Sequence, residues 1–147
     1  MNKVHVKLLM MVAAGSLLFS NSIVAQVNPY APKTIAPPEP RAAHIAISQG
    51  PELEIARANL AIIRWTTNNP GGTDVHYGIV HYGTNPSDLS QTAKNPIHLN
   101  RSHPDTTFRV RIDGLSPQTT YYYTVASEEA TGTNDGVRSD VKHFSTP

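Results

Sequence analysis

Cysteine is absent from all 147 residues, which removes disulfide staples, thiolate nucleophiles and the usual cysteine-containing zinc sites. A surplus of one charge is missing too. Twelve basic residues stand against eleven acidic ones, so there is no electrostatic ground for binding nucleic acid. Beyond residue 25 no apolar run approaches the length of a membrane span, and no stretch has helical periodicity. A chain of this kind has to be held by packing alone, which roughly 100 residues can manage.

The first segment present is an export signal. Lys3 and Lys7 precede an apolar run from Leu8 to Phe19, and Ile23-Val24-Ala25 before Gln26 forms a small-residue cleavage site. Residues 1–25 are therefore expected to be a secretory signal peptide, and the product to be secreted or periplasmic. Cleavage would leave ten basic and eleven acidic residues, a net charge of −1, and no membrane span. Residues 26–43 carry five prolines, at 29, 32, 37, 38 and 40. Proline lacks the amide donor of helix and sheet, so this segment is expected to be an extended linker, with partner binding by the proline run as the alternative. The folded domain is expected over residues 44–147.

Within that domain the period is two. Gly114 to Val125 reads GLSPQTTYYYTV, a turn leading into alternating Tyr121, Tyr123 and Val125, as on a strand with one buried face. Ala61, Ile63 and Trp65 share a face of a strand over Asn59 to Thr67, and Phe108, Val110 and Ile112 share one over Thr107 to Asp113. Trp65 is the expected centre of the core. A first strand is expected over His44 to Ser48, ended by the turn signal Gln49-Gly50-Pro51. Asp74 to Gly83 shows a period conflict, which a bulge near Gly78 would resolve by bringing Val75, Tyr77, Val80 and Tyr82 to the core. A short strand near Leu89 to Ala93, an irregular stretch from Asn95 to Asp105, a loop from Ser127 to Arg138 and a last strand at Val141 to Ser145 complete the expectation. The fold class is all-β, a sandwich of about seven strands.

Leu115-x-Pro117-x-Thr119-x-Tyr121 resembles the tyrosine corner of fibronectin type III and related immunoglobulin-like sandwiches, where the Tyr121 hydroxyl would bond back to the upstream backbone. With Ile63-x-Trp65-x-Thr67, Val80-His81-Tyr82-Gly83-Thr84-Asn85-Pro86, Asp88-Leu89 and Thr92-Ala93, residues 44–147 are similar to the N-terminal, fibronectin-like domain of purple acid phosphatases. The resemblance implies structural roles for Trp65, Tyr82, Leu115, Pro117 and Tyr121. In that family the module precedes a catalytic metallophosphatase domain, whose Gly-Asp and Gly-Asn-His ligand segments are not found in this sequence.

Catalytic residues are accordingly expected to be none, and cofactors and metals likewise. Asp74-x-His76 spells a metallophosphatase-like pair but reads as an exposed strand start. His44, His81, His98, His103 and His143 read as surface histidines, with a metal patch as the alternative. Asp135 and Asp140 approach the spacing of a calcium loop without completing it. No serine triad order is legible, and Ser90, Ser116 and Ser127 fit turn chemistry. The function expected is a secreted, non-catalytic module binding an unknown protein or glycan, the alternative being a phosphatase-related product acting as a truncated or partner subunit. Binding is expected at the sandwich end where Asn68 to Thr73 and Ser127 to Arg138 emerge together, through Asn68, Asn69, Thr131, Thr133 and Asn134.

Overall fold

The computed structural model describes residues 40–147. The expected signal peptide and most of the linker lie outside the described residues. Eight strands follow: β1 (Ile47–Arg57), β2 (Leu60–Asn68), β3 (Val75–Gly83), β4 (Gln91–His98), β5 (Asp105–Asp113), β6 (Thr120–Glu129), β7 (Asn134–Arg138) and β8 (Lys142–Ser145). Antiparallel pairing sorts them into a three-stranded sheet, β1-β2-β5, and a five-stranded one, β4-β3-β6-β7, with β8 also on β6. β7 pairs with the far end of β6 and β8 with its beginning, so the two form one edge strand with an interruption. Across that interruption Ser139 keeps the ladder closed, its Oγ accepting from Val125 N at 3.0 Å and its N–H donating to Val125 O at 3.1 Å. The immunoglobulin-like β-sandwich expected from the sequence is the architecture observed.

Alternation builds the core. β2 turns Ala61, Ile63 and Trp65 inward, β5 turns Phe108, Val110 and Ile112 inward, and all six are buried. The opposite sheet contributes Val80, Tyr82, Tyr121, Tyr123, Val125 and Phe144. Trp65 stacks on Phe108 with ring centroids 5.2 Å apart. Its indole N–H has no hydrogen-bond partner among the described residues, and Trp65 stabilises through size and contact. Outward, Arg109 pairs with Glu54 and Arg111 with Asp113.

Several local expectations are corrected. Gln49-Gly50-Pro51 does not end a strand at Ser48. It lies inside β1, where register shifts between Ile47 and Gln49 and between Gln49 and Glu52 bend an edge strand that continues to Arg57. β3 has no bulge, because its register with β4 and β6 runs unbroken from His76 to Tyr82. The inward set is His76, Gly78, Val80 and Tyr82, while Val75 and Tyr77 lie half-buried on the other face. Gly78 is there for room. A Cβ on it would stand 2.9 Å from Val110 Cγ2 and 3.0 Å from Trp65 Cη2, so the tryptophan seats against bare backbone. The expected irregular stretch from Asn95 begins as the end of β4, which accommodates Pro96 because it is an edge strand. The loop expected from Ser127 to Arg138 is mostly the β6–β7 hairpin.

The turn before β6 is tied by Tyr121, whose Oη accepts from Ser116 N at 2.9 Å. Its ring stacks on Phe144 at 5.6 Å and meets Tyr82 edge-on at 6.2 Å. Leu115 is buried and Pro117 is exposed at the turn, its carbonyl accepting from Thr119 Oγ1 at 2.8 Å.

Trp65→Ala is expected to cost about 3–5 kcal/mol by leaving a large cavity. Gly78→Ala, which overfills the same spot, should cost about 1–3 kcal/mol, and Tyr121→Phe about 0.5–1.5 kcal/mol, the worth of one hydrogen bond. Urea midpoints of the three variants check the order. Alkaline stability is also set here. Burial, helped by the Glu52 charge, pushes the Tyr123 phenol up from 10.0 to about 12, and burial raises Tyr82 in the same direction. A raised phenol stabilises the fold while neutral, so that contribution is whole below pH 10 and is lost as pH rises through about 12. Tyr123→Phe should move the alkaline unfolding midpoint, followed by near-ultraviolet circular dichroism, to higher pH.

Candidate functional site

The β2–β3 connection and the β6–β7 hairpin meet at one end of the sandwich, so closely that a Cβ on Gly72 would lie 2.1 Å from Glu129 Oε1. Between and beneath them sits a cluster of buried polar and charged side chains. His76, Ser127 and Asp135 are buried, with no exposed side-chain surface on His76 or Asp135. Strand alternation puts them there: His76 follows the inward parity of Val80 and Tyr82, and Ser127 that of Tyr123 and Val125.

Asp135 is the hub of the cluster. Its Oδ2 accepts from Ser127 Oγ at 2.8 Å and faces His76 Nδ1 at 3.1 Å, and its Oδ1 accepts from an Arg41 guanidinium nitrogen at 2.9 Å. The other ring nitrogen, His76 Nε2, lies 3.0 Å from Gly71 O. A carbonyl can only accept, so Nε2 carries a proton and donates. Glu129, also buried, pairs through Oε1 with Arg41 Nε at 3.2 Å and accepts from Thr131 Oγ1 through Oε2 at 3.1 Å.

Serine, histidine and aspartate together invite comparison with a hydrolytic triad, and their wiring decides against one. A nucleophilic serine gives its proton to histidine, which the aspartate holds from behind. In this cluster Ser127 donates to the aspartate, and the histidine nitrogen that would serve as base is committed to a backbone carbonyl. The arrangement holds a loop, a hairpin and Arg41 together.

The residues singled out from the sequence fall around this cluster in different ways. Asn68 accepts from Ala46 N at 2.8 Å and donates to His44 O at 3.0 Å, and Asn69 donates to Asn100 O and His103 O at 3.0 and 2.9 Å. Both amides bind the chain's own backbone. Thr131, Thr133 and Asn134 are exposed at the hairpin. A cleft of about 360 Å³ adjoins them, lined among others by Arg41, His44, Asn134 and Asp135. Asp74 and His76 part company: His76 is buried in the cluster rather than exposed, while Asp74 faces His98 Nδ1 at 3.2 Å on the surface. His81 meets Thr92. Among the described residues no group of three or more His, Asp or Glu is placed to hold a metal ion. Asp135 and Asp140 do not converge, since Asp135 is buried and Asp140 exposed. Ser127 is a buried strand residue, contrary to its reading as a turn serine.

Sequence reasoning missed the cluster. The parity of His76 with Val80 and Tyr82 was the available signal for His76. Arg41 carried none, because its partners Glu129, Asn134 and Asp135 lie 88 to 94 residues further along the chain.

Removing the hub leaves His76, Ser127 and Arg41 without their acceptor, so Asp135→Ala is expected to cost about 3–5 kcal/mol. Ser127→Ala, which removes one donor, should cost about 1 kcal/mol. Equal urea midpoints for the two variants would remove Asp135 from its central place.

Similarity to known proteins follows the fold. The chain is similar in structure to the sensor domain of the anti-sigma factor RsgI4 in Pseudobacteroides cellulosolvens, with 19% identity and a TM-score of 0.45 over 70% of this chain and 87% of that one. It is similar also to the FN5 domain of Drosophila Lar, with 18% identity and a TM-score of 0.40 over 69% and 95% of the two chains. The third fibronectin III domain of human KIAA0343 protein gives 13% identity and a TM-score of 0.42 over 82% and 94%. No curated protein matches the chain. The family described as purple acid phosphatase, N-terminal domain, matches residues 48–146, nearly the whole of the sandwich. The tyrosine corner, the Trp65 core and the strand order thus sit in a chain that belongs to the family of purple acid phosphatase N-terminal domains.

Proposed function

We propose that this chain is an exported, non-catalytic accessory module that binds a protein or glycan partner through the end of its sandwich. One observation carries the non-catalytic part. The residues best suited by type to hydrolysis, Ser127, His76 and Asp135, are buried and bonded in an order that leaves the serine without a base. Export rests on the signal-like residues 1–25, and a secreted or periplasmic location follows from it.

For the partner surface, the internal bonds of Asn68 and Asn69 narrow the choice. The exposed Thr131, Gly132, Thr133 and Asn134 at the hairpin, with the cleft beside them, form the remaining part of the end that faces outward. Family membership favours a variant of this reading in which the module works beside a metallophosphatase subunit. The module then contributes contacts and the subunit supplies the metals.

The purified mature chain is expected not to hydrolyse p-nitrophenyl phosphate and to carry no stoichiometric iron, zinc or manganese. Two metal ions per chain, with turnover lost in Asp74→Ala, would overturn the non-catalytic reading. The binding surface is checked by capturing partners from the exporting cell's periplasm or medium. Thr133→Trp, which places a bulky ring at the hairpin, should reduce capture at least tenfold with an unchanged far-ultraviolet spectrum. Undiminished capture would move the surface to a sheet face.

A further inference from the structure

Glu129 and Asp135 have side chains only 8% and 0% exposed, and the sandwich strands offer them no arginine or lysine. Their cation is Arg41, which precedes β1 in the proline-rich segment. The contacts of that segment form a graded series. Ala42 N donates to Pro70 O at 2.9 Å. Pro40 O crosses Gly71 so closely that a Cβ there would stand 2.3 Å from it, and the Arg41 stem crosses Gly72, with Cγ 3.1 Å from the equivalent point. Both glycines have positive φ, 64° and 77°, so the turn is shaped to let another backbone pass against it. The guanidinium then reaches Asp135 Oδ1 at 2.9 Å, Asn134 O at 3.3 Å and Glu129 Oε1 at 3.2 Å.

Such a notch reads an extended peptide with an arginine in it. A guanidinium presents several donors in a planar fork, whereas a lysine offers one compact charge and cannot spread over acceptors on two sides in the same way. A second observation points to a ligand. Glu129 Oε1, buried and aimed into the notch, is paired with Arg41 by charge but receives no hydrogen bond of proper geometry. Arg41 is therefore an incomplete occupant of the notch, leaving among the described residues an acceptor that the guanidinium of an untethered segment can bond.

We infer that the notch between the Gly71-Gly72 turn and the β6–β7 hairpin is a docking site for an arginine-bearing extended segment of a protein partner, filled in this chain by its own Arg41. The inference rests on the reading of this sandwich end as the binding surface and gives the partner its chemistry. Arg41 is a strong competitor because it belongs to the same chain, which gives it an effective concentration on the order of millimolar or above. A free segment has to displace the chain's own Pro40–Ala43 stretch, and Arg41→Ala makes that exchange easier by removing the side-chain contacts that hold the stretch in the notch.

The probe is a fluorescent peptide with the sequence of residues 37–46, titrated by anisotropy against the mature chain and its Arg41→Ala variant. Arg41→Ala should bind it at least tenfold more tightly than the wild type. Citrulline or lysine in place of the peptide's arginine should abolish most of that gain, and adding Glu129→Gln to the variant should do the same. Where Arg41→Ala does not unfold cooperatively, Arg41→Lys takes its place. Equal binding by wild type and variant, or indifference to citrulline, overturns the proposal. Should Thr133→Trp block partner capture while neither variant binds the peptide, the arginine site falls and the sandwich-end reading stands. If the peptide binds Arg41→Ala but Thr133→Trp leaves capture intact, the notch stands and the hairpin is not the partner surface.

Discussion

Everything in this sandwich depends on how Trp65 is seated. Without cysteine no covalent bond joins the two sheets, so their spacing is kept by side chains that meet in the middle. Trp65 is the largest of the fully buried side chains. It has Phe108 stacked beside it on the neighbouring strand and the bare backbone of Gly78 in the facing sheet. That pairing of a large residue with an absent one explains why β3 keeps its register. With any side chain at position 78, either the indole or the sheet would have to move, and close-packed interiors have little slack for either.

A dry centre of this kind makes the polar end costly and therefore informative. Burying Asp135 and Glu129 is tolerable because polar partners converge on them from three separate places, the hairpin, β3 and the segment before β1. The consequence is mechanical. The loop that carries Gly71, the hairpin that carries Asp135 and the chain that carries Arg41 cannot separate without stranding a buried charge. The cluster takes the place at this end that hydrophobic contacts hold elsewhere, and it extends the ordered unit back beyond the expected domain start at His44 to include Pro40–Ala43.

What could be read in advance follows from the range of each signal. The alternation of β2, β5 and β6 and the corner at Tyr121 are local patterns and were legible, because a half-buried strand imposes its period on neighbouring residues. Gln49-Gly50-Pro51 was misread because turn chemistry and bulge chemistry use the same residues, and only the partner strand tells them apart. The bulge proposed at Gly78 failed for a related reason: apolar residues were assumed to mark the inward face. At that end of β3 the inward positions are a histidine and a glycine, each with a reason that lies in other strands, Asp135 for one and Trp65 for the other. The binding end was placed by topology, but the internal bonds of Asn68 and Asn69 depend on contacts with distant segments that no local pattern encodes.

An enzyme's reactive groups need access to substrate and a proton acceptor matched to the nucleophile, and the cluster at this end withholds both. It holds a glycine turn, a hairpin and the segment that carries Arg41 in one arrangement around two buried carboxylates. On the proposed reading, contacts already ordered in this way lower the cost of associating with a partner. The Gly71-Gly72 turn already lets Pro40 and Arg41 pass against it, which is why the proposed occupant is a peptide.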